Sequence, residues 1–510
     1  MTKNNNTTIA KNTVFLYFRM AVTMLVGLYT SRVILNVLGV NDFGIYNVAG
    51  SAVAIWAFLY GAIGQSSSRF ITFQLGRIDI DGIDKLKSCF GTTQLVMAFI
   101  ALLILLICET IGLWVLFNKC GIPDSRMTAA FWTYQISVLT SMFAVTQIPF
   151  TALIISHEKM SIYAYTSIVE VVLKLIIVYI LLLSPFDKLI FYSILLCIVQ
   201  ISMMIFYRIY CRIKFEESKA KMHLDKELFK PILSFSGWSL FGSASSTLFS
   251  QLSNIVISAF FSPSIVAAKA ISTQVRNQAS SFVSNFRTAA NPQIIKRYSE
   301  EDFDGYKKLL FQSTNISFYL MMIVVLPFII EAEIILKVWL KIVPDYSVAF
   351  VQVSLLEALF SVYDLSFFMI FQATGRLKEN AIVCPLLDVI VFIIIIVFYS
   401  FGSSPLAIAW GLLFLSFAEG VILKPYLAIK YFNFKWSEFY TLFKRNAIIT
   451  VISGFITLGF KILLGPDTIL NVTSVILVSF LVSIVTVLFL GLTNTQRAYI
   501  VQLINHKIHD

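Results

Sequence analysis

Long, almost unbroken apolar runs recur along this sequence and constrain its fold more than any other feature. The segments Ala381–Ser400 and Ser474–Leu490 consist mostly of Val, Ile, Leu and Phe. At about 1.5 Å per residue, the 20-residue segment crosses the roughly 30 Å of hydrocarbon as a helix, and the 17-residue segment lies at the lower limit for a membrane span. Only 13% of the 510 residues are charged, against about a quarter in a soluble domain. The sequence therefore predicts an all-α polytopic membrane protein.

The same composition excludes several other classes. A soluble enzyme, a nucleic-acid-binding protein and a disulfide-stabilised secreted domain would all carry fewer apolar residues. An outer-membrane barrel is disfavoured because its strands would alternate apolar and polar residues in pieces of about ten. We predict no metal site, because His506 and His509, although spaced i, i+3, lie in a polar tail that solvent is expected to surround.

Hydropathy, read together with turn and charge signals, predicts fourteen membrane-spanning helices. They are residues 13–38, 45–72, 91–117, 128–155, 161–183, 187–207, 232–260, 265–291, 309–330, 346–372, 380–400, 404–423, 446–464 and 470–490. If the N-terminus is cytoplasmic, 26 of the 39 Lys and Arg residues fall on the cytoplasmic side. Another 6 fall on the other side, with Lys188 and Lys461 counted there because they lie at the outer ends of their spans, and 7 lie deeper within spans. This asymmetry fits the positive-inside rule and predicts that both termini are cytoplasmic.

The spans group into two lobes of six helices, followed by two further helices. The predicted parts are an N-terminal lobe (1–207), a cytoplasmic linker (208–231), a C-terminal lobe (232–423), a cytoplasmic loop (424–445), the last two spans (446–490) and a cytoplasmic tail (491–510). Similar helix connections recur in the two halves at an offset of about 222 residues, which suggests a parallel repeat. The linker could equally be an ordinary basic loop without a partner.

Basic side chains inside the spans are the strongest functional signal. Each costs several kcal/mol at the bilayer centre unless it faces water or a counter-ion. The eighth predicted helix carries Lys269, Arg276 and Arg287, which point within about 20° of one direction at 100° per residue. Because the seventh and eighth helices are also rich in Ser, Asn and Gln, we expect both to line an aqueous cavity.

The N-terminal half supplies further basic residues. Arg19, Arg32 and Arg69 lie in its first two helices and are candidates for the wall of the same cavity. For Arg19 and Arg69 the alternative is snorkelling to lipid phosphate at the membrane surface. Lys174 lies four residues after Glu170, and an intrahelical ion pair is its expected role.

Acidic residues in the spans have two possible roles. Glu357 and Asp364 share a face of the tenth helix, and Glu170 and Asp388 lie in the fifth helix of each half. These carboxylates could bind a coupling proton or Na⁺, as intramembrane acids often do, or they could neutralise the arginines. We predict no cofactor beyond such an ion. The sequence contains no GxxxxGK[ST] motif, so it gives no sign of ATP hydrolysis.

A short N-terminal motif resembles a known family. The run SRVILNVLGVNDFGIYN (Ser31–Asn47) is similar to the opening of Wzx-type flippases, the polysaccharide-transporter branch of the multidrug/oligosaccharidyl-lipid/polysaccharide (MOP) superfamily. The resemblance implies a V-shaped fold like that of MATE transporters. It also implies that the chain moves undecaprenyl-diphosphate-linked oligosaccharides across the bacterial inner membrane by alternating access. The expected partners are this substrate, membrane lipids, a polysaccharide polymerase and a chain-length regulator, with no nucleic acid.

These signals combine into one hypothesis with two alternatives. The diphosphate is expected to be held by Arg276, Lys269 and Arg19, because guanidinium groups bind phosphate oxygens in pairs. Arg32, Arg69 and Arg287 complete the candidate substrate-binding set by the same logic. A lipid II flippase would differ only in the glycan that it carries. A multidrug or cation antiporter of the same superfamily should prefer carboxylates and aromatic residues to arginines.

Overall fold

The computed structural model describes residues 12–23, 57–119, 123–261, 263–340, 343–465 and 468–492, with isolated positions between 25 and 46 and at 497. These residues contain no strand, and each of the fourteen predicted spans corresponds to a helix. The helices are α1 (residues 12–23 and described positions up to 38), α2 (Ala57–Gly76), α3 (Ile78–Ile107, continued by Cys108–Gly112 and Leu113–Lys119), α4 (Asp124–Ser156), α5 (Met160–Leu182), α6 (Lys188–Lys214), α7 (Lys226–Phe260), α8 (Pro263–Ser299), α9 (Phe303–Ile330), α10 (Ser347–Thr374), α11 (Lys378–Ser400), α12 (Ala407–Phe432), α13 (Trp436–Leu464) and α14 (Ile469–Gly491). The all-α prediction is confirmed.

Ten of the helices in the described ranges are long and apolar enough to cross a membrane, namely α3–α6 and α9–α14. The chain is a multi-pass membrane protein. α7 and α8 are not among these ten, although they contain 35 and 37 residues. At 1.5 Å per residue, α8 is about 55 Å long, well beyond the roughly 30 Å of a hydrocarbon core. Its length and its polarity both require surroundings other than lipid along part of the helix.

The chain forms two compact units. Unit 1 comprises residues 1–244 and 288–303, and unit 2 comprises residues 245–287 and 304–510. Two of the three boundaries fall inside long helices, at Ala244 of α7 and at Arg287 of α8, and the third lies at Phe303, where α9 begins; none falls in the predicted linker. The predicted lobes, residues 1–207 and 232–423, group the helices by their order along the chain, which is a different division from these two units. The lobes therefore remain a prediction.

Unit 1 is organised around α4, which packs against α2, α3 and α6. Its core contains one buried apolar cluster to which each of these helices contributes, with α5 added at the side. The rings of Phe90 and Phe150 meet edge to face at 5.4 Å between centroids. Ile71 and Val178, from α2 and α5, are fully buried in the same cluster.

Unit 2 is organised around α10, which packs most closely against α12. Phe350, Phe367 and Phe371 of α10 are fully buried. Gly420 allows the close approach of α12, because a Cβ atom at this position would lie 2.8 Å from the backbone nitrogen of Asp364. The approach occurs where α12 widens into a π-helical segment, Ala418–Leu423.

Contacts between loops of unit 1 confirm that successive helices alternate in direction. Arg126, at the start of α4, binds Asp42 (2.6 Å) and Asp187 (2.5 Å), so the connections α1–α2, α3–α4 and α5–α6 share one face. Asn12 donates to the carbonyl of Glu158 at 3.1 Å and thereby places the start of α1 and the α4–α5 connection on the opposite face. The cytoplasmic assignment of that second face remains a prediction.

The predicted linker is shorter and better ordered than the sequence suggests. α6 continues to Lys214 and α7 begins at Lys226, so only residues 215–225 lie outside both helices. This segment lies along the first turns of α3: Lys87 binds Glu216 at 2.7 Å, and Ser88 donates to Asp225 at 2.8 Å. The chain itself therefore holds this segment against α3, and its role as a linker between two lobes remains a prediction.

A histidine fastens the same segment to the α4–α5 connection. The His157 ring stacks on Phe215 at 4.2 Å, and its Nε2 lies 2.5 Å from an oxygen of Glu217. Burial, the largest single influence, would raise the pKa of Glu217. The hydrogen bonds from His157 and from the backbone, together with the nearby His157 and Lys87, outweigh burial and hold that pKa below its usual range. A lowered carboxyl pKa stabilises the fold at neutral pH, and this contribution is lost only as the pH falls through the lowered value.

We predict that Gly91→Ala detaches the segment 215–225 from α3. A Cβ atom at Gly91 would lie 2.6 Å from the carbonyl oxygen of Lys221, and such overpacking costs about 1–3 kcal/mol. The variant should melt at a lower temperature in detergent, and trypsin should cleave faster at Lys219 and Lys221. Gly237→Ala is the matched control, because a Cβ atom at that position would have no neighbouring atom within 4 Å. Equal melting temperatures for both variants would contradict the predicted contact.

Candidate functional site

Within unit 2, the basic stripe predicted on α8 faces two neighbouring helices, α7 and α10. Three contacts join α8 to α10: Ser354 with Ser272, Glu357 with Arg276 and Leu365 with Arg287. Residue numbers increase in the same direction along both helices, so α8 and α10 run parallel. This is expected, because one membrane-spanning helix, α9, lies between them in the chain. The shared face predicted for Arg276 and Arg287 is confirmed at this interface.

Arg276 forms a two-pronged ion pair with Glu357. Its Nε donates to one carboxylate oxygen, and its Nη2 donates to the other at 2.7 Å. Ser416 of α12 donates to the same carboxylate at 2.8 Å. The Glu357 side chain is 7% exposed and that of Arg276 is 32% exposed, so the arginine keeps one open side. Of the two roles considered for Glu357, this geometry favours neutralisation of an arginine.

Arg287 is held differently, because its bound partner is a neutral backbone group. Its Nη2 donates to the carbonyl of Leu365. Its Nη1 is buried and has no hydrogen-bond partner among the described residues. Asp364 acts on it only through longer-range attraction. A buried guanidinium nitrogen without an acceptor is costly, and an incoming anion would satisfy it.

Lys269, the third member of the stripe, is buried against α7. Its ammonium group donates to the hydroxyl of Ser253, and only 6% of the residue is exposed. A buried ammonium group needs polar contacts of this kind, because desolvation of the charge is expensive. Lys269 is therefore more buried than Arg276, whose side chain is partly exposed.

Lys424 is a further buried cation of unit 2, which the sequence pattern places in the predicted cytoplasmic loop 424–445. α12 instead continues through it to Phe432, and residues 433–435 separate α12 from α13. The Lys424 ammonium pairs with the carboxylate of Asp364 and also donates to its backbone carbonyl at 3.1 Å. A basic residue directly after an apolar run looks like a membrane flank in sequence, and only packing reveals its burial.

Acidic residues surround this lysine. Asp388 of α11 and Glu419 of α12 both interact electrostatically with Asp364 and Lys424. Away from the helix ends, α8 and α10–α12 carry four basic and four acidic residues. They are Lys269, Arg276, Arg287 and Lys424, and Glu357, Asp364, Asp388 and Glu419. Formal charges therefore balance in this part of unit 2, and opposite charges in the interior compensate one another's desolvation.

The predicted cations of unit 1 contact aromatic rings. The Arg69 guanidinium lies 4.6 Å from the ring centre of Phe70, 5.0 Å from that of Phe73 and 5.3 Å from that of Phe235. Arg19 lies 4.7 Å from the ring centre of Tyr163. Aromatic faces attract cations by about 0.5–2 kcal/mol each. Arg69 is buried, so its side chain does not extend to lipid phosphate at the membrane surface, the alternative role considered for it.

Two remaining predictions have different outcomes. Lys174 binds Glu170 at 2.6 Å, which confirms the predicted intrahelical pair. Arg32 and most of the motif Ser31–Asn47 lie outside the described residues. Among the residues that are described, no group of three or more His, Cys, Asp or Glu side chains could hold a metal ion.

We predict that Lys424→Met strongly destabilises the protein. Removal of the ammonium leaves Asp364 buried beside Asp388 and Glu419 without a cation, and breaking a buried pair costs about 3–5 kcal/mol. Melting temperature in detergent measures the effect, and Asp364→Asn in the same chain should restore part of the loss. Lys337→Met is the control, because its pair with Glu333 is exposed and water already compensates both charges. An equally small effect at both lysines would show that Lys424 is solvated.

Comparison with solved structures identifies the fold. The chain is similar to an outward-facing multidrug resistance MATE family transporter of the MOP superfamily, with a TM-score of 0.71 and 11% identity over 84% of this chain and 96% of that one. A MOP superfamily transporter from Pyrococcus furiosus, described as having a binding pocket of reverse polarity, gives the same values. A MATE in complex with MaL6 gives a TM-score of 0.72 and 11% identity over 86% of this chain and 97% of that one.

Comparison of the sequence with family models identifies the family. The model described as polysaccharide biosynthesis protein matches residues 9–298, more than half of the chain. A search of curated proteins returns no match. The structural neighbours share only 11% of residues and therefore establish the fold alone. By this match and this fold, the chain belongs to the polysaccharide biosynthesis protein family and has the architecture of the MATE transporters of the MOP superfamily.

Proposed function

We propose that this protein is a flippase that moves oligosaccharide repeat units linked to undecaprenyl diphosphate across the bacterial inner membrane by alternating access. The family supports a role in polysaccharide biosynthesis. The MATE-type fold supports transport by analogy, since fold alone does not fix function. The basic residues of α8 indicate the chemistry of the headgroup.

The observation that carries the proposal is the unused binding capacity of Arg287. Its buried Nη1 has no acceptor, and its charge has no directly paired carboxylate among the described residues. Arg276 on the same helix face keeps an open side. Diphosphate oxygens match such guanidinium groups in charge and in hydrogen-bond geometry. An anionic headgroup is therefore the ligand that this face suits best.

The remainder of α8 suits the hydroxyl groups of a glycan. Gln274, Asn277, Gln278 and Ser284 are exposed on this helix, where a lipid-facing segment would present apolar side chains. Amide and hydroxyl groups both donate and accept hydrogen bonds and so match sugar hydroxyls. No catalytic role is assigned to these residues, and we propose that the protein transports its substrate unchanged.

A multidrug cation antiporter is the less favoured function. Its binding site should carry unpaired carboxylates, whereas the four acidic residues in the interior of α10–α12 lie among four basic residues of α8 and α12. A lipid II flippase remains chemically equivalent, because its substrate carries the same diphosphate. We propose that the termini are cytoplasmic, and that a polymerase and a chain-length regulator act on the exported units.

We predict that Arg287→Gln slows transport at least about tenfold. A hydrogen bond to a charged group contributes about 1.5–3 kcal/mol, and 1.4 kcal/mol corresponds to a factor of ten. Translocation of a fluorescent undecaprenyl-diphosphate oligosaccharide in proteoliposomes measures the rate, with lipid II as a second substrate. Arg376→Gln is the matched control, because Arg376 is exposed in a connection and contacts Glu379 at 3.8 Å.

Two results would count against this function. If Arg287→Gln transports at the wild-type rate and is present in the membrane in normal amounts, the diphosphate does not bind at α8. Faster transport of organic cations than of the lipid-linked glycan would favour the antiporter. If the protein prefers lipid II to the oligosaccharide, the proposed diphosphate site stands and only the identity of the transported glycan changes.

A further inference from the structure

The segment that joins α6 to α7 uses its acidic side chains for contacts within the protein. Glu216 binds a lysine of α3 at 2.7 Å, and Glu217 is buried against the α4–α5 connection. Asp225 accepts a hydrogen bond from a serine of α3 at 2.8 Å and caps the first turn of α7. The fourth carboxylate between residues 212 and 230, that of Glu227, lies in this first turn, where the helix dipole stabilises a negative charge.

The basic side chains of the same stretch are left to the outside. Six of them lie between residues 212 and 230, all six are exposed, and none forms an ion pair with another described residue. They are Arg212, Lys214, Lys219, Lys221, Lys226 and Lys230, and together they form the basic surface of this segment. Met222 and Leu224 lie between its lysines and are 59% and 39% exposed. The basic surface therefore presents positive charge together with apolar side chains.

The basic surface begins where α6 leaves the hydrocarbon. This helix is long and apolar enough to cross a membrane, and Ile205, Ile209 and Ile213 follow one another at intervals of four residues along one exposed face. Ile213 is 71% exposed and lies between Arg212 and Lys214. An exposed apolar residue between two basic ones marks the boundary of hydrocarbon and headgroups, because long basic side chains extend from apolar surroundings to lipid phosphate.

The start of α7 repeats this arrangement in the opposite direction. Lys226 and Lys230 lie one turn apart, and Leu233, which is 50% exposed, follows in the next turn. Between the two flanks the chain is held against α3 as far as His223, whose carbonyl accepts a hydrogen bond from Thr92 at 3.1 Å. The backbone that carries the intervening lysines is therefore held close to the membrane.

We propose that the basic surface binds the headgroups of anionic phospholipids in the leaflet beside it. These lipids supply the negative charge that the protein does not provide, and Met222 and Leu224 enter the boundary region beneath the phosphates. One positive charge close to an anionic leaflet strengthens binding by about fivefold. An acidic protein would match the charge but not the exposed isoleucines that continue from it along α6. The inference concerns a site away from α8 and does not depend on the diphosphate.

Lysine acetylation of the full-length protein in nanodiscs tests this proposal. One set of nanodiscs contains phosphatidylcholine alone, and the other contains phosphatidylcholine and phosphatidylglycerol in equal parts. Lys219, Lys221 and Lys226 should react at least about threefold more slowly in the anionic nanodiscs, and high salt should restore their rates because it screens exposed charges. Inorganic phosphate added to the neutral nanodiscs should not slow them. Mass spectrometry gives the rate at each lysine.

An internal control separates a bound lipid from the general effect of an anionic leaflet. A negative surface attracts protons and slows the acetylation of every lysine near it. Lys337 reports this effect, because it is exposed on the short helix Ala332–Leu340 that follows α9. The slowing at the basic surface should exceed the slowing at Lys337.

Charge reversal tests whether the basic surface itself is responsible. In the double variant Lys221→Glu, Lys226→Glu, the rate of Lys219 should become equal in the two kinds of nanodisc. The matched control is Lys308→Glu, Lys444→Glu, which makes the same change of net charge at two exposed lysines of α9 and α13 and should keep the slowing at Lys219. The measurements on the wild type decide the question even if a variant folds poorly.

Three outcomes would overturn the proposal. The first is that the wild-type lysines of the basic surface react equally fast in both kinds of nanodisc. The second is that Lys337 is slowed as much as they are. The third is that these lysines are protected only in native membranes and not in nanodiscs, which would show that an acidic protein covers the surface instead of lipid.

Discussion

The structure depends on one constraint: charge inside a membrane protein must be compensated by the protein itself. Water and salt compensate ions at a surface, but hydrocarbon offers neither. In unit 2 the pairs Arg276–Glu357 and Lys424–Asp364 provide this compensation between helices. In unit 1 Arg69 lies among aromatic rings instead. Helices α8, α10 and α12 are therefore held in register by charge as well as by apolar packing. Arg287, whose direct partner is a carbonyl rather than a carboxylate, indicates what these helices can bind.

Much of the fold could be predicted from the sequence because its periodicities are local. Apolar runs longer than a bilayer fix the number of helices, and each predicted span corresponds to one. Spacing at 100° per residue correctly placed Arg276 and Arg287 on a common face of α8. The pair of Glu170 with Lys174 follows from a separation of four residues, which depends on no other helix.

Contacts between helices could not be predicted in the same way. The choice of Glu357 as the partner of Arg276 depends on the relative register of α8 and α10, to which a single sequence gives no access. Lys424 was missed because a cation after an apolar run usually marks the membrane surface, whereas Gly420 and the π-helical segment bring it against α10. Residues 215–225 dock through contacts between positions far apart in the sequence, such as Lys87 with Glu216 and Gly91 with the carbonyl of Lys221, which no local pattern predicts.

The central claim is that the guanidinium groups of Arg287 and Arg276 on α8 hold a lipid-linked diphosphate. Cryo-electron microscopy of the protein in nanodiscs with an undecaprenyl-diphosphate oligosaccharide tests it most directly. We expect density for the diphosphate within hydrogen-bonding distance of Nη1 of Arg287 and of the Arg276 guanidinium. Density for the diphosphate elsewhere, with Arg287 bonded only to the carbonyl of Leu365, would contradict it.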